Sequence, residues 1–457
     1  MPSVSSSTKK PSVCLVTLGC SKNLVDSEMM LGFLKQEGFH LSTQPEKSDV
    51  IVVNTCGFVE DSKRESINQI LEMAEHKAKG RAKLLVASGC LTQRYLKELE
   101  LEIPEVDLFV GLGEFNKIGK LLKQKLGGSE IIARSYVSDK QILPDPDAPR
   151  VLSTPRHYAY VKVSEGCNHR CSFCVIPHIR GNLRSRPIDS IVEDMRRQHA
   201  MGVKEFNFIA QDLNEYGFDL KDQTNLTRLI AEVEKIPGKF WVRFHYMYPL
   251  EFTGPLIEAI KNSSKVVPYI DMPLQHVSDR ILLSMKRGSG SRYIRQLLAK
   301  LNQAIPEITL RTTFIVGYPG ETETEFQELL DFINEGHFAH VGAFKYSDEE
   351  TTAAAKLPGR IPDEVKQERY TQLMQAQSDI SLAKNREKVG KVFEVLSEGV
   401  SPEHEWVMQA RLTCQAPEVD GVTYLSECVP GSAQQGEFLK VKITEAHEYD
   451  LVAQPVS

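Results

Sequence analysis

The chain has 457 residues, 41% of them apolar and 25% charged, with a formal net charge of −6. That length points to two or three domains with substantial cores. The mild acidity argues against a chain built as a whole to grip nucleic acid, and no apolar stretch approaches the length of a membrane span.

The N-terminal run Met1 to Lys10 lacks the apolar centre of a secretory signal. Nine cysteines, an odd number in a long chain, do not read as a disulfide framework and point to a reducing cytoplasm. From Val13 to Leu126 short apolar runs alternate with amphipathic ones: Val13–Leu18 then Leu24–Gln36, Val50–Val53 then Val59–Ala74, Leu84–Ala87 then Thr92–Leu99, and last Leu108–Val110. The alternation predicts a parallel sheet covered by helices, an N-terminal α/β domain over 11–126. Its first three strands each end at a cysteine (Cys20, Cys56 and Cys90), beside Gly19, Gly57 and Gly89. The C-terminal strand ends of an open parallel sheet share one ligand-binding edge, and glycine lets backbone approach a bulky group closely. Two readings stay open on these residues alone: a metal centre with three protein ligands, or three small buried cysteines closing their strands. Cys14, inside the first strand, reads as core. Residues 127–152, with Gly127, Gly128, Pro144, Pro146 and Pro149, read as a linker.

The second region, 153–385, opens on the strand Ala159–Val163 and then the loop Ser164-Glu-Gly-Cys167-Asn-His-Arg-Cys171-Ser-Phe-Cys174. Three thiolates so close in sequence can hold three corners of one small metal centre. A structural zinc site wants a fourth close protein ligand, and only His169 or His178 is at hand. Three thiolates with one open corner suit a four-iron, four-sulfur cluster whose last iron binds something else. The plainer alternative is three cysteines that merely share a loop. Further strands follow at Glu205–Ala210, Phe240–Phe244, Tyr269–Met272, Thr309–Ile315 and His340–Phe344, with helices such as Ile188–Ala200, Asn225–Ile236 and Glu323–Glu335 between them. Six βα units fall short of a complete eight-stranded barrel. The strand ends carry Gln211 and Asp212, Arg243 and His245, Gln275 and His276, and Phe314 to Glu321 with Gly317, on the rim where barrels bind ligands.

The third region, 386–457, switches to short β-type runs: Lys391–Ser397, Trp406–Leu412, Thr423–Leu425 and Glu437–Ala446. Turns at Pro417–Gly421 and at Pro430 and Gly431 separate them. This predicts a small closed antiparallel β-barrel. From Glu387 onward five Lys and Arg stand against twelve Asp and Glu, a net −7. Such a surface repels phosphates and steers toward a strongly basic protein; solubility is the blander use of the same charges.

The loop from Glu165 to Gly181, with Phe173 just before its last cysteine, resembles the signature of the radical S-adenosylmethionine enzymes. The resemblance implies an open, partial (β/α) barrel with Cys167, Cys171 and Cys174 as cluster ligands and S-adenosylmethionine on the fourth iron. It also implies cofactor contacts from Phe173, Gln211, Asp212, Arg243, Gln275 and Gly317, with Gly317 against the adenine and Gln211 and Asp212 on the ribose side. The third region resembles the TRAM domain, an OB-like module. Together the three regions resemble the methylthiotransferases, which replace C–H with C–S–CH₃. That implies a second four-iron, four-sulfur cluster on Cys20, Cys56 and Cys90, and two clusters facing one another across the substrate.

Within that family, Ser21-Lys-Asn-Leu-Val-Asp-Ser-Glu28 after Cys20, the motif Pro273-Leu-Gln-His276 and the acidic third region favour one branch. It modifies an aspartate β-carbon in the basic small-subunit ribosomal protein S-twelve; the other branch modifies a tRNA adenosine. The partners so implied are that ribosomal protein or its subunit and a low-potential electron donor, with no membrane and with tRNA disfavoured. A non-catalytic iron–sulfur adapter, from a different class, would use the same cysteines without cleaving S-adenosylmethionine.

Overall fold

The computed structural model describes residues 10–128, 133–139, 142–144, 147–428 and 431–456. The readings placed on Met1 to Lys9, on Pro146 and on Pro430 lie outside these residues. The chain forms two compact units. The first holds the residues up to Ser153 with Glu165–Asn168 and Val175–Arg184, and the second holds Thr154–Ser164, His169–Cys174 and the chain from Ser185 onward.

In the first unit β1 (Ser12–Thr17), β2 (His40–Ser42), β3 (Val50–Thr55), β4 (Leu84–Gly89), β5 (Leu108–Val110) and β6 (Ser135–Tyr136) form one sheet in the order β2-β1-β3-β4-β5-β6. Every pairing is parallel. Alternate residues of a strand face opposite sides, and each side has its own core. Val50, Val52 and Val86 pack with Met29, Leu34 and Leu122, whereas Ile51, Val53, Leu85 and Ala87 pack with Ile70, Met73 and Leu99. This two-sided covering makes β3, β4 and β5 continuously apolar or buried. Chain order reverses between β1 and β3, the place where open α/β sheets bind ligands. The stretch expected as a linker is pinned at two points. It supplies β6, and Glu28 accepts hydrogen bonds from Arg150 (2.6 Å) and from the Ser153 amide (2.7 Å).

In the second unit β7 (Tyr158–Lys162), β8 (Glu205–Ile209), β9 (Trp241–Phe244), β10 (Val266–Asp271), β11 (Thr309–Val316) and β12 (His340–Lys345) lie side by side in chain order. All pairs are parallel. Among the described residues β7 and β12 are not paired with each other, so the barrel is partial and open. Next, β13 (Val392–Val400), β14 (Met408–Leu412), β15 (Thr423–Leu425), β16 (Phe438–Ala446) and β17 (Leu451–Pro455) close a small barrel. Four of its pairs are antiparallel and one, β15 with β17, is parallel.

The small barrel packs on the N-terminal ends of the β7–β12 strands, opposite the end from which the cysteine loop departs. Glu205, the first residue of β8, sits between Arg411 (2.5 Å) and Arg243 (2.8 Å), and Arg411 reaches on to Glu398 (2.6 Å). Glu418 accepts from the Tyr158 and Tyr160 hydroxyls (2.8 and 3.0 Å), and Asp420 accepts from Tyr269 (2.8 Å). Trp241 packs edge-on against Phe438, and Lys239 pairs with Glu394. This corrects the charge argument for the third region. Glu394, Glu398, Glu418 and Asp420 engage the (β/α) core, which leaves the exposed Glu387, Glu403, Glu405, Glu427, Glu437, Glu445 and Glu448 and the half-buried Asp450.

Burial works against charge on Glu205, but Arg411 and Arg243 outweigh it and bring its pKa to about 2; Arg411 and His157 do the same for Glu398. Both folded values lie below the ordinary 4.5. Their stabilisation is therefore complete above that pH and drains as pH falls toward 2. Thermal melts of iron-free protein are expected to lose stability progressively through this window, and a flat melting temperature across it would contradict the assignment.

Candidate metal centres

In the first unit, Cys20 follows β1 and caps the helix Ser21–Gln36, Cys56 directly follows β3, and Cys90 opens the helix Cys90–Arg94 directly after β4. Because β1, β3 and β4 are neighbours, the three strand ends meet beside the point where chain order reverses. Gly19 and Gly89 have φ of +86° and +97°. A Cβ on Gly19 would lie 2.7 Å from Cys56 Cβ, and one on Gly89 would lie 2.7 Å from the Thr55 amide nitrogen. Neither position accepts a side chain. The Cys56 amide donates to Ser66 Oγ (2.9 Å), which donates back to the Cys56 carbonyl (2.9 Å).

Cys90 packs among Leu112, Val175 and Ile179. Burial pushes its thiol up to about 12; negative charge on Cys20 and Cys56 adds to the rise, and Arg180 opposes it. Desolvation also opposes ionisation of Cys20, but Lys22, Arg180 and the amides of Asn23 and Lys22 lower its pKa overall. The three thiols are thus electrostatically coupled. Three coupled thiols on neighbouring, glycine-lined strand ends are the kind of donor set a four-iron cluster takes. In the second unit His169, Asp212 and Glu215 bring three possible ligand atoms within 4.8 Å of one another. If Cys20, Cys56 and Cys90 hold a four-iron cluster, Gly19→Ala is expected to displace Cys56 and lower iron by about four atoms per chain; unchanged iron would show that the glycine does not shape such a site.

In the second unit the cysteine loop is anchored through Ser172. Its amide donates to the Met285 carbonyl (3.0 Å), its Oγ to the Ser284 carbonyl (2.8 Å), and its carbonyl accepts from the Ala354 amide (2.8 Å). The Cys174 amide donates to the Cys171 carbonyl (3.1 Å). Phe173 packs against Ile281, Met285, Ile315 and Tyr318. Asp212 lies 2.7 Å from His169 Nε2, and its other oxygen accepts from the Asn214 amide (2.9 Å). The His169 ring stacks on Tyr248 at 3.9 Å, and the Arg287 guanidinium covers Tyr248 at 3.8 Å. Arg287 also donates to Cys171 Sγ (3.6 Å). Sequence reasoning missed Arg287, which lies far from every motif along the chain.

Gln211 is half-buried after β8. Gln275, with φ of +75°, bonds both Thr313 and Ile315 of β11 (2.8 Å each), and Gly317, with φ of +74°, follows the end of β11. Asp212, Gln275 and Gly317 therefore stand at C-terminal strand ends, as expected from their sequence positions. Arg243 does not. It pairs with Glu205, donates to the Thr413 carbonyl (2.6 Å) and stacks on Tyr269, in the layer against the small barrel. Its side chain departs from the middle of a buried strand toward the end of the barrel opposite the rim. In the first unit, the Cys167 amide donates to the Gly181 carbonyl (3.1 Å).

Three stretches match known families: residues 12–111 the uncharacterized protein family UPF0004, 161–333 the radical SAM superfamily, and 389–456 the TRAM domain. Among solved structures, the radical S-adenosylmethionine methyltransferase TsrM from Kitasatospora setae shares the fold. Its TM-score is 0.57 at 14% identity, covering 76% of this chain and 77% of that one. The cobalamin-dependent radical enzyme OxsB gives 0.51 at 15% identity, covering 81% and 56%. Fold and cysteine loop together define a radical S-adenosylmethionine enzyme, a class that carries a four-iron, four-sulfur cluster and S-adenosylmethionine. The chain is 45% identical to "Ribosomal protein uS12 methylthiotransferase RimO" of Syntrophotalea carbinolica, over 99% of this chain and 98% of that protein. It is 46% identical to the protein of the same name from Anaeromyxobacter sp. (strain Fw109-5), over 97% and 93%. It belongs to this RimO family of radical methylthiotransferases. No helix among the described residues is long and apolar enough to cross a membrane.

Proposed function

We propose that this chain replaces a β C–H of one aspartate in ribosomal protein uS12 with a methylthio group. The observation that carries the reading is near-full-length identity to proteins named for that activity. The three cysteines at the strand ends of the first unit support it, because sulfur insertion needs a second sulfur-bearing centre. In this reading Cys167, Cys171 and Cys174 hold the radical cluster, and Cys20, Cys56 and Cys90 hold the second. When bound, the clusters and S-adenosylmethionine supply the electron, the hydrogen-abstracting radical and the methylthio group.

The protein's own part is positional. Ser172 and Phe173 fix the cysteine loop, and Arg287 presents a charged donor to Cys171. Gln211, Asp212, Gln275 and Gly317 bind S-adenosylmethionine, and Gly19 and Gly89 leave room at the second centre. The exposed carboxylates of the small barrel, such as Glu403 and Glu405, face a basic substrate, and a low-potential donor in the reducing cytoplasm supplies electrons.

The test is intact mass spectrometry of small-subunit ribosomal proteins from cells with and without the gene, with tRNA nucleosides measured in parallel. Loss of a methylthio-sized mass from uS12 alone is the expected result. Loss of methylthio from tRNA instead would overturn the substrate assignment.

A further inference from the structure

The second centre has a buried neighbour inside the loop from Glu165 to Gly181 to which the sequence reading gave no role. Arg180 ends the helix Ile176–Arg180, belongs to the first unit and is 2% exposed. Its Nη1 donates to Glu165 Oε2 (2.8 Å). Its Nη2 faces three acceptors: Asn23 Oδ1 (3.1 Å), Asp26 Oδ2 (3.1 Å) and Cys90 Sγ (3.4 Å). A guanidinium nitrogen has two protons for those three partners, so the sulfur shares its donor with the two oxygens. Glu165 and Asp26 are themselves 2% exposed and clamp the planar fork in place. Asn23 is held in turn, donating to the carbonyls of Leu18 and Thr55 (2.9 Å each). Burying a guanidinium is costly unless several partners compensate it. Here one of those partners is the sulfur of a proposed cluster ligand.

We infer that Arg180 is a positioning residue for the second centre: the counter-charge and hydrogen-bond donor that holds Cys90 as a ligand and raises the centre's reduction potential. The inference rests on the proposed second cluster and adds what tunes it. Iron–sulfur potentials follow net charge and hydrogen bonds to the sulfurs. An electron added there brings negative charge, and a fixed guanidinium at one ligand sulfur offsets it. Glu165 and Asp26 act in the opposite sense, so at Cys90 the guanidinium's effect is set against two carboxylates, while Lys22 adds positive charge on the Cys20 side. Outer partners of this kind tune a metal site as well as orient it.

The experiment uses the full chain carrying Cys171→Ala, which removes the loop centre and leaves the second one alone to be observed. Iron and sulfide per chain are measured first, then the midpoint potential by anaerobic redox titration followed by electron paramagnetic resonance. Arg180→Met is expected to shift the potential to more negative values or to lose iron. Arg180→Lys, which keeps the charge without the fork, should retain iron with a smaller negative shift. Glu165→Gln should shift the potential the other way. No iron in the Cys171→Ala parent would overturn the two-cluster reading itself, and this inference with it. Iron present with the same potential in Arg180→Lys, Arg180→Met and Glu165→Gln would overturn the role of Arg180 alone. Equal loss of iron in Arg180→Met and Arg180→Lys, with no shift in Glu165→Gln, would likewise overturn it, reducing Arg180 to a packing element.

Discussion

Cys56→Ala is expected to abolish methylthiolated product while S-adenosylmethionine cleavage persists, whereas Cys171→Ala is expected to abolish both. The contrast follows from where the two residues stand. Cys171 lies on the loop after β7, hydrogen-bonded through its sulfur to Arg287 and braced next door by Ser172. Losing one of three thiolates from that loop removes the centre on which S-adenosylmethionine binds. Cys56 stands at the end of β3 in the other unit, its amide and carbonyl both tied to Ser66. Replacing it leaves the loop untouched, so hydrogen abstraction remains possible but sulfur has no donor. The measurement is parallel chromatography of deoxyadenosine and of modified substrate, with product falling at least about a hundredfold in both variants. Methylthiolated product from Cys56→Ala would refute the second-centre assignment, and cleavage by Cys171→Ala would refute the first.

Arg411→Met produces the largest loss of stability. Arg411 is 1% exposed, and it bridges Glu205 of the (β/α) core to Glu398 of the small barrel. Its removal leaves Glu205 with Arg243 alone and Glu398 with His157. Breaking a buried ion pair on one side costs about 3–5 kcal/mol, and here two carboxylates stay buried with half their ion-pair partners gone. The expected result is a lower melting temperature together with faster proteolysis around residues 386–392, where the small barrel begins. A loss below about 1 kcal/mol would mean the contact behaves as a solvated surface pair.

Periodicity was enough to read the sheet strands that bury whole apolar runs, which is why all six strands of the open (β/α) sheet and four of the first unit's sheet were legible. Among the strands it missed, most are short or lie late in a polar stretch: His40–Ser42 and Ser135–Tyr136 have three and two residues, and Leu451–Pro455 follows the last apolar run of the barrel. Each is recruited by a neighbour's open edge, which local sequence does not display. The positions of the cysteines were legible, as three strand ends and one tight loop, but for Cys20, Cys56 and Cys90 residue type alone left a metal centre and capping cysteines equally open. Their supporting charges were not legible. Arg180 and Arg287 come to the sulfurs through tertiary folding, with no spacing rule to announce them. The count of −7 in the third region gave the sign of its charge without showing that Glu394, Glu398, Glu418 and Asp420 are engaged by residues of the (β/α) core. Arg243 illustrates the same limit: its place near a strand end suggested the rim, yet its side chain runs to the opposite end of the barrel.

The most direct test of the central claim is to incubate reduced protein and S-adenosylmethionine with uS12 whose aspartates carry deuterium at the β-carbon. Deuterium is expected in the released deoxyadenosine, with one deuterium lost from the methylthiolated aspartate. Methylthiolated uS12 formed with no deuterium in deoxyadenosine would contradict hydrogen abstraction from that carbon, and with it the proposed chemistry.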